Sequence, residues 1–288
     1  MDILITGILL GAIYALIAMG LTLQYGVARI MNLANGEMLV AGAFGAFWVY
    51  TVHKLSPFTA ALFVVPGAFL FSWLIYRILL RPLVRRAKNR GMLEVDSILA
   101  TFGMSFAMVG IMLMVFGGSY FNYSYLAEPF VIFGSPFGLN RVVACLASLL
   151  ICGGLYWGLN RTRTGMAIRA VAVDPVAAGL VAIDVPRMAA FSFALGGAVT
   201  AAGGILISTF LTMDASIGVV FTMKALIIVI MGGVGDVRGA IIAALILGLA
   251  ETAVASLIDP GLTLAAAYLL FVLVLLFRPE GLFGKRAS

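Results

Sequence analysis

An all-α integral membrane protein is the fold class this sequence predicts: a bundle of eight to ten transmembrane helices with Gly-interrupted segments. Three observations predict it. Of the 288 residues, 63% are hydrophobic and 10% are charged, against about 45–50% and about 25% in a soluble domain. The apolar residues gather into runs close to the ~20 residues that cross the hydrocarbon core. Basic residues cluster in the short stretches between those runs, the pattern that orients membrane helices. That placement argues against nucleic-acid binding, which the net charge of +6 would otherwise suggest. No polar stretch is long enough for a separate soluble domain, so residues 1–288 read as one transmembrane domain.

The first run, 3–26, follows Met1-Asp2 without a basic n-region and is too long for an h-region. It reads as a retained transmembrane segment rather than a signal peptide. Further runs cover 36–53, 58–80, 94–116, 141–159, 188–211, 217–234, 238–258 and 261–277. Two of them, 36–53 and 217–234, are short or interrupted by glycine, which predicts broken or re-entrant segments. Cys145 and Cys152 lie seven residues apart in one apolar run, a placement that suits packing rather than a disulfide or a metal site. The stretch 117–140 carries Tyr120, Tyr123, Tyr125, Pro129 and Pro136. It reads as an interfacial aromatic belt with turns, or as a docking surface for an extracytoplasmic partner. The only histidine, His53, stands beside Lys54 at a helix end and reads as a solvated interfacial residue.

Orientation follows from charge. Arg29; Arg77, Arg81, Arg85, Arg86, Lys88 and Arg90; Arg161, Arg163, Arg169 and Arg187; Arg238; and Arg278, Lys285 and Arg286 all fall on one side, 15 of the 18 basic residues. Lys54, Arg141 and Lys224 remain. The positive-inside rule places the C-terminus in the cytoplasm and, with nine spans, the N-terminus outside.

Between two apolar runs lies a basic, small-residue stretch, 161–187. Thr164 suits the N-cap of a short helix running to about Ala172. Asp174 followed by Pro175 is a second start signal. Val176 to Ile183 is apolar or small throughout, and Asp184-Val185-Pro186 ends it. A short apolar helix is unstable alone in water. It needs a groove on a partner, or it lies on the lipid with Arg163 and Arg169 at the headgroups.

Two further segments carry functional signals. Residues 22–37 place Gln24, Asn32, Asn35 and Glu37 in or next to apolar runs, and residues 231–240 form a glycine-rich break. Gly7 with Gly11, and Gly235 with Gly239, are small-xxx-small pairs that permit close helix contact. One glycine-interrupted segment in each half points to a substrate pathway near the midplane, formed by Asn32, Asn35 and Glu37 with Gly232, Gly233 and Gly235; alternatively the glycines serve packing alone. The loop 232–239 lacks the Gly-Lys-Ser/Thr ending of a P-loop, and Gly284-Lys285-Arg286 lacks both its spacing and its hydroxyl. ATP binding or hydrolysis by this chain is therefore not expected. Glu251 and Lys224 are the main charges deep in apolar runs, each costing about 2.5–3.5 kcal/mol at a helix centre. They read as a structural ion pair or as a substrate contact. No His/Cys/carboxylate cluster suggests a metal or cofactor, and no Ser/His/Asp set suggests hydrolysis.

Four motifs occur in order: Gly20-Leu-Thr-Leu-Gln-Tyr-Gly26; Asn32-Leu-Ala-Asn-Gly-Glu37 with Gly42-Ala-Phe44; Thr164-Gly-Met-Ala-Ile-Arg-Ala170; and Gly232-Gly-Val-Gly-Asp-Val-Arg-Gly-Ala240 followed by Glu251. With them the chain resembles, over nearly its whole length, the LivH-type permeases of branched-chain (hydrophobic) amino acid ABC importers. The resemblance implies a permease subunit of the plasma (inner) membrane, paired with a second, LivM-like permease. It also implies two cytoplasmic ATPases, which would use the ATP, and an extracytoplasmic substrate-binding protein. On this resemblance 161–187 is the region that docks on an ATPase, with Arg169, Asp174 and Ala178 as coupling residues. Two positions depart from the family pattern: Asn35 stands where histidine is common, and Ala182 where glycine is common. The first bears on the substrate, since relatives carry urea, amides or other small solutes. The second implies a modified coupling turn. The expected function is import of a small amino acid-like solute, branched-chain amino acids first. The rival is an ion-coupled secondary transporter or channel without ATPases, which would need buried ionisable residues of which the sequence offers few.

Overall fold

The computed structural model describes residues 2–87, 89–123, 125–132 and 135–283. Lys88, Lys285 and Arg286, placed on the basic side above, lie outside the described residues, as does the segment 284–286.

The chain folds as helices α1 (Asp2–Ala28), α2 (Asn35–His53) and α3 (Pro57–Ile75), the last continuing through a π-helical turn (Tyr76–Leu80) into α4 (Arg81–Arg86). Then come α5 (Arg90–Phe116), a hairpin of β1 (Pro129–Ile132) and β2 (Ser135–Gly138), and α6 (Leu139–Arg161). Two short helices, α7 (Arg163–Val173) and α8 (Pro175–Leu180), precede α9 (Val185–Ile207), α10 (Gly218–Gly232), α11 (Val237–Leu257) and α12 (Thr263–Phe277). Among the described residues, 7 helices are long and apolar enough to cross a membrane. The two runs that the sequence marks as short or interrupted form α2, of 19 residues, and α10, of 15. The hairpin in the stretch 117–140 is an addition to the all-α expectation. Its strands pair antiparallel, Pro129 with Gly138 and Phe130 with Phe137.

The bundle has an inner and an outer set of helices. From Gly7 to Ala28, α1 is buried almost throughout, as is α9 from Ser192 to Ile207. A helix apolar on every side belongs in the interior or in lipid, and these two take the interior. The outer helices turn large apolar side chains outward: Leu62, Phe63 and Leu70 from α3, Leu99, Phe106 and Met114 from α5, and Leu269 and Leu276 from α12. In a bilayer that exposure costs nothing, so close packing of small residues must hold the inner helices together. The α1–α11 contact shows how. Any Cβ at Gly7 or Gly11 would overlap Leu249 or Leu245, and one at Gly248 would overlap the backbone of Gly7 and Gly11. The Gly7/Gly11 pair of the sequence is therefore a packing face.

Cap residues set half of the helix starts. Ser56, Asp184 and Asp236 each accept a backbone N–H three residues on, opening α3, α9 and α11. Asp174 accepts from Val176 N–H at 2.9 Å and Ala177 N–H at 3.1 Å, as its pairing with Pro175 predicts. The cap of α7 is Thr162, whose Oγ1 accepts from Gly165 N–H at 3.0 Å. This corrects the Thr164 assignment by two residues, because α6 runs on to Arg161 and leaves Thr162 as the one extended residue between two helices.

After α12 the chain turns back under α10. Leu282 N–H donates to Met231 O at 2.7 Å and Phe283 N–H to Gly232 O at 3.2 Å. Two of the carbonyls that a helix C-terminus leaves open are thus satisfied by a distant segment.

Candidate functional site: a polar junction of two broken helices

Between α1 and α2, residues 29–34 leave the helix, and Asn32 in that break is 1% exposed. Asn32 Nδ2 donates to Gln24 Oε1 at 2.9 Å, and its Oδ1 accepts from Ala34 N–H at 3.0 Å. Gln24 Nε2 donates in turn to Phe193 O at 3.3 Å. This Asx-type turn fixes the entry into α2, whose N-cap residue, Ala34, offers no side-chain cap.

The missing cap comes from another helix. Gly36 N–H donates to Thr222 Oγ1 at 2.8 Å, and that hydroxyl donates to Leu33 O at 3.2 Å. Thr222 lies in the first turns of α10, so the N-termini of α2 and α10 meet. At 1.5 Å per residue, the 15 residues of α10 span about 22 Å, short of the ~30 Å hydrocarbon core. Its start is reached through the irregular segment 208–217. Met213 in that segment is fully buried and bridges to Phe121 through paired backbone hydrogen bonds of 2.9 and 3.0 Å.

Asn35 and Glu37, in the first turn of α2, are both 0% exposed. Thr200 Oγ1, on α9, lies 3.0 Å from Asn35 Oδ1, and Ser105 Oγ, on α5, donates to Glu37 Oε1 at 3.0 Å. The carboxyl group of Glu37 rests on Gly218, where a Cβ would overlap it. Asn35 Nδ2 and Glu37 Oε2 have no hydrogen-bond partner. An unpaired buried polar atom costs about 1–3 kcal/mol, and the junction holds one such donor and one such acceptor within two residues of each other. The positive ends of two helix dipoles also converge there.

The structure places the other predicted pathway residues elsewhere. Gly232, Gly233 and Gly235 lie at the α10–α11 turn, at the basic end of the bundle. Gly233 (φ 102°) and Gly235 (φ 83°) take backbone conformations that favour glycine, and Gly235 packs against Gly26. Gly235 borders end cavities with Gly26, Arg169 and Asp236; the break that meets Asn35 and Glu37 is instead 208–217. Sequence reasoning passed over Ser105, Thr200, Thr222 and Gly218. A hydroxyl stripe at Ser97, Thr101 and Ser105, four apart and all buried, is the signal that would have found one wall.

Lys224 Nζ lies 2.8 Å from Glu251 Oε2 and 2.7 Å from Tyr14 OH, and Tyr14 OH donates to Glu251 Oε2 at 2.8 Å. The two deep charges therefore pair, the structural alternative of the sequence reading. Glu251 also borders a largely apolar cavity of about 250 Å³. Cys145 and Cys152 are free and buried. Among the described residues no group of three or more His, Cys, Asp or Glu is placed to hold a metal.

At the basic end, Ile168, Val171 and Ala178 pack against Leu23, Val27 and Leu159. Ala178 is thus turned into the protein itself, Asp174 caps α8, and Arg169 is exposed. Exposed apolar side chains gather where α7 runs into α8: Val173, Val176, Leu180 and Val181 are 70–85% exposed.

A family model described as branched-chain amino acid transport system / permease component matches residues 3–277. The high-affinity branched-chain amino acid transport system permease protein LivH of Escherichia coli is 28% identical over 97% of this chain and 94% of its own length. The corresponding protein BraD of Pseudomonas aeruginosa is 29% identical over 98% and 95%. The fructose import permease protein FrcC of Rhizobium meliloti is 32% identical over 40% of this chain and 35% of its own.

Proposed function

Because the chain belongs to the family of branched-chain amino acid transport system permease components, we propose that it is the membrane subunit of an ABC importer for a small zwitterionic solute, branched-chain amino acids first. The solute passes the junction of α2 and α10. The observation that carries this reading is the pair of open, buried atoms there. Asn35 Nδ2 offers a donor for a carboxylate and Glu37 Oε2 an acceptor for an ammonium group. They are two residues apart and face different helices, so a passing zwitterion engages them in turn rather than as one clamp. Discontinuous helices meeting near the midplane are a recurring way to build such a site.

Residues 1–288 act as one permease domain in the inner membrane, C-terminus in the cytoplasm, as the charge asymmetry supports. The exposed apolar side chains where α7 runs into α8 dock on a cytoplasmic ATPase, with Arg169 beside them and Asp174 holding α8 in place. A second, LivM-like permease, a second ATPase and an extracytoplasmic binding protein complete the assembly. ATP is consumed by the ATPase subunits.

The test is purification of the tagged chain from native membranes in mild detergent, followed by leucine uptake in liposomes. ATP-binding subunits accompany the chain, and uptake requires ATP and falls at least tenfold in Glu37→Gln. Recovery of the chain alone, with uptake driven by an ion gradient, overturns the reading in favour of a secondary transporter.

A further inference from the structure

Where α3 passes through its π-helical turn into α4, three guanidinium groups gather around one cavity of about 570 Å³. Trp73, Tyr76, Arg77 and Arg81 line one side, and Arg187 and Phe191, from α9, line the other. Arg77 and Arg81 are four residues apart and share a helix face, and Arg77 stacks over the Trp73 ring at 5.1 Å. Asp184 at the rim pairs with Arg187 at 2.9 Å. Three cations face one anion, leaving an excess of two positive charges. Arg81 Nε is buried and, among the described residues, has no hydrogen-bond partner.

The surroundings name the missing partner. Leu70, Phe71 and Leu74 cover the exposed face of α3 leading to the cavity, and Phe191 flanks it. An apolar, lipid-facing surface thus runs directly into a cluster of arginines with an interfacial tryptophan. Guanidinium groups suit phosphate because they donate two parallel hydrogen bonds, and basic pockets between membrane helices on the positive side take anionic headgroups. We propose that this cavity binds the phosphate headgroup of an anionic phospholipid, with its acyl chains along α3 and Phe191. The proposal rests on the membrane-spanning bundle and not on the import reading.

The test titrates phosphatidylglycerol into the detergent-purified protein, together with whatever subunits accompany it, and reads bound lipid by native mass spectrometry. Phosphatidylcholine and inorganic phosphate are the comparison ligands. Saturable binding of phosphatidylglycerol alone is expected, weakened about fivefold by each of Arg77→Gln and Arg81→Gln. Arg187→Gln, at an exposed position that folding tolerates, carries the same expectation should Arg81→Gln fail to fold. Arg85→Gln removes the same charge from the same end outside the cavity and leaves binding unchanged. Four results overturn the proposal. Phosphatidylcholine binding equally well means an acyl groove only, and inorganic phosphate competing at equal concentration means an ion site only. Equal weakening by Arg85→Gln means diffuse surface charge. Loss of an associated subunit in the Arg77, Arg81 or Arg187 variants, with lipid binding intact, means a protein interface.

Discussion

Gly218 decides whether the junction can exist. The Glu37 carboxyl group occupies the space that any side chain at 218 would need. Alanine favours a helix over glycine by about 1 kcal/mol, so propensity alone predicts that Gly218→Ala strengthens the start of α10. The steric conflict reverses this. Gly218→Ala is expected to displace Glu37 and lower uptake by more than tenfold while the protein still inserts and purifies. Uptake equal to the wild type would show that the contact between α10 and Glu37 is not needed. Asn32, Asn35 and Glu37 were legible in the sequence because polar side chains between apolar runs are costly enough to need a reason. Thr200 and Thr222 were not, since a threonine inside an apolar helix usually bonds to its own backbone; here each also reaches α2.

At the scale of elements, α8 ends in a Schellman turn. Ile183 N–H donates to Ala178 O at 3.1 Å and Ala182 N–H to Gly179 O at 3.2 Å, with Ala182 at φ 62°. This left-handed position costs an L-residue about 1–2 kcal/mol, and glycine is its usual occupant. Ala182→Gly should stabilise the folded chain by about 0.5–1 kcal/mol once the greater freedom of unfolded glycine is subtracted. A rise in melting temperature of about 1–3 °C, with retained ATPase association, is the expected result. A fall would mean that the left-handed turn is not the stable form of this segment. The start of α8 was readable from Asp174-Pro175, because a cap is local chemistry. The gap between the runs 188–211 and 217–234 was readable too, but not that α9 stops at Ile207 or that Met213 pairs with Phe121, a tertiary event that no proline and no glycine pair marks. The glycine-rich 232–235 gave the louder local signal, and it marks an ordinary turn at the end of the bundle.

For the whole molecule, α1 is tied to α10 and α11 by a buried ion pair as well as by small-residue contacts. Lys224 on α10, Glu251 on α11 and Tyr14 on α1 form a closed triangle. Removing one charge strands the other, at a cost of about 3–5 kcal/mol. Lys224→Met alone is expected to unfold at markedly lower temperature in detergent, and Lys224→Met with Glu251→Leu to recover most of the loss. A double variant as unstable as the single one would point to a role for Glu251 beyond pairing, which its border on the 250 Å³ cavity would then explain. The nine apolar runs and their order were legible because a bilayer fixes the length of an apolar run; the number that span was not, 7 helices among the described residues being long and apolar enough against the eight to ten expected. Which helices go inside was less legible, since Leu and Phe suit lipid and protein interior alike. Glycine and alanine are dense in α9 but no denser in α1 than in α2 or α11, so composition does not single out the inner pair.

The return of residues 282 and 283 beneath α10 has a consequence for biosynthesis. The donors that complete the end of α10 are made 51 positions after Met231. At ~5–20 residues per second, the half-helix waits about 3–10 s on the ribosome for its last partners. During that time one wall of the junction has its upper end inside the bundle and its lower end unfinished.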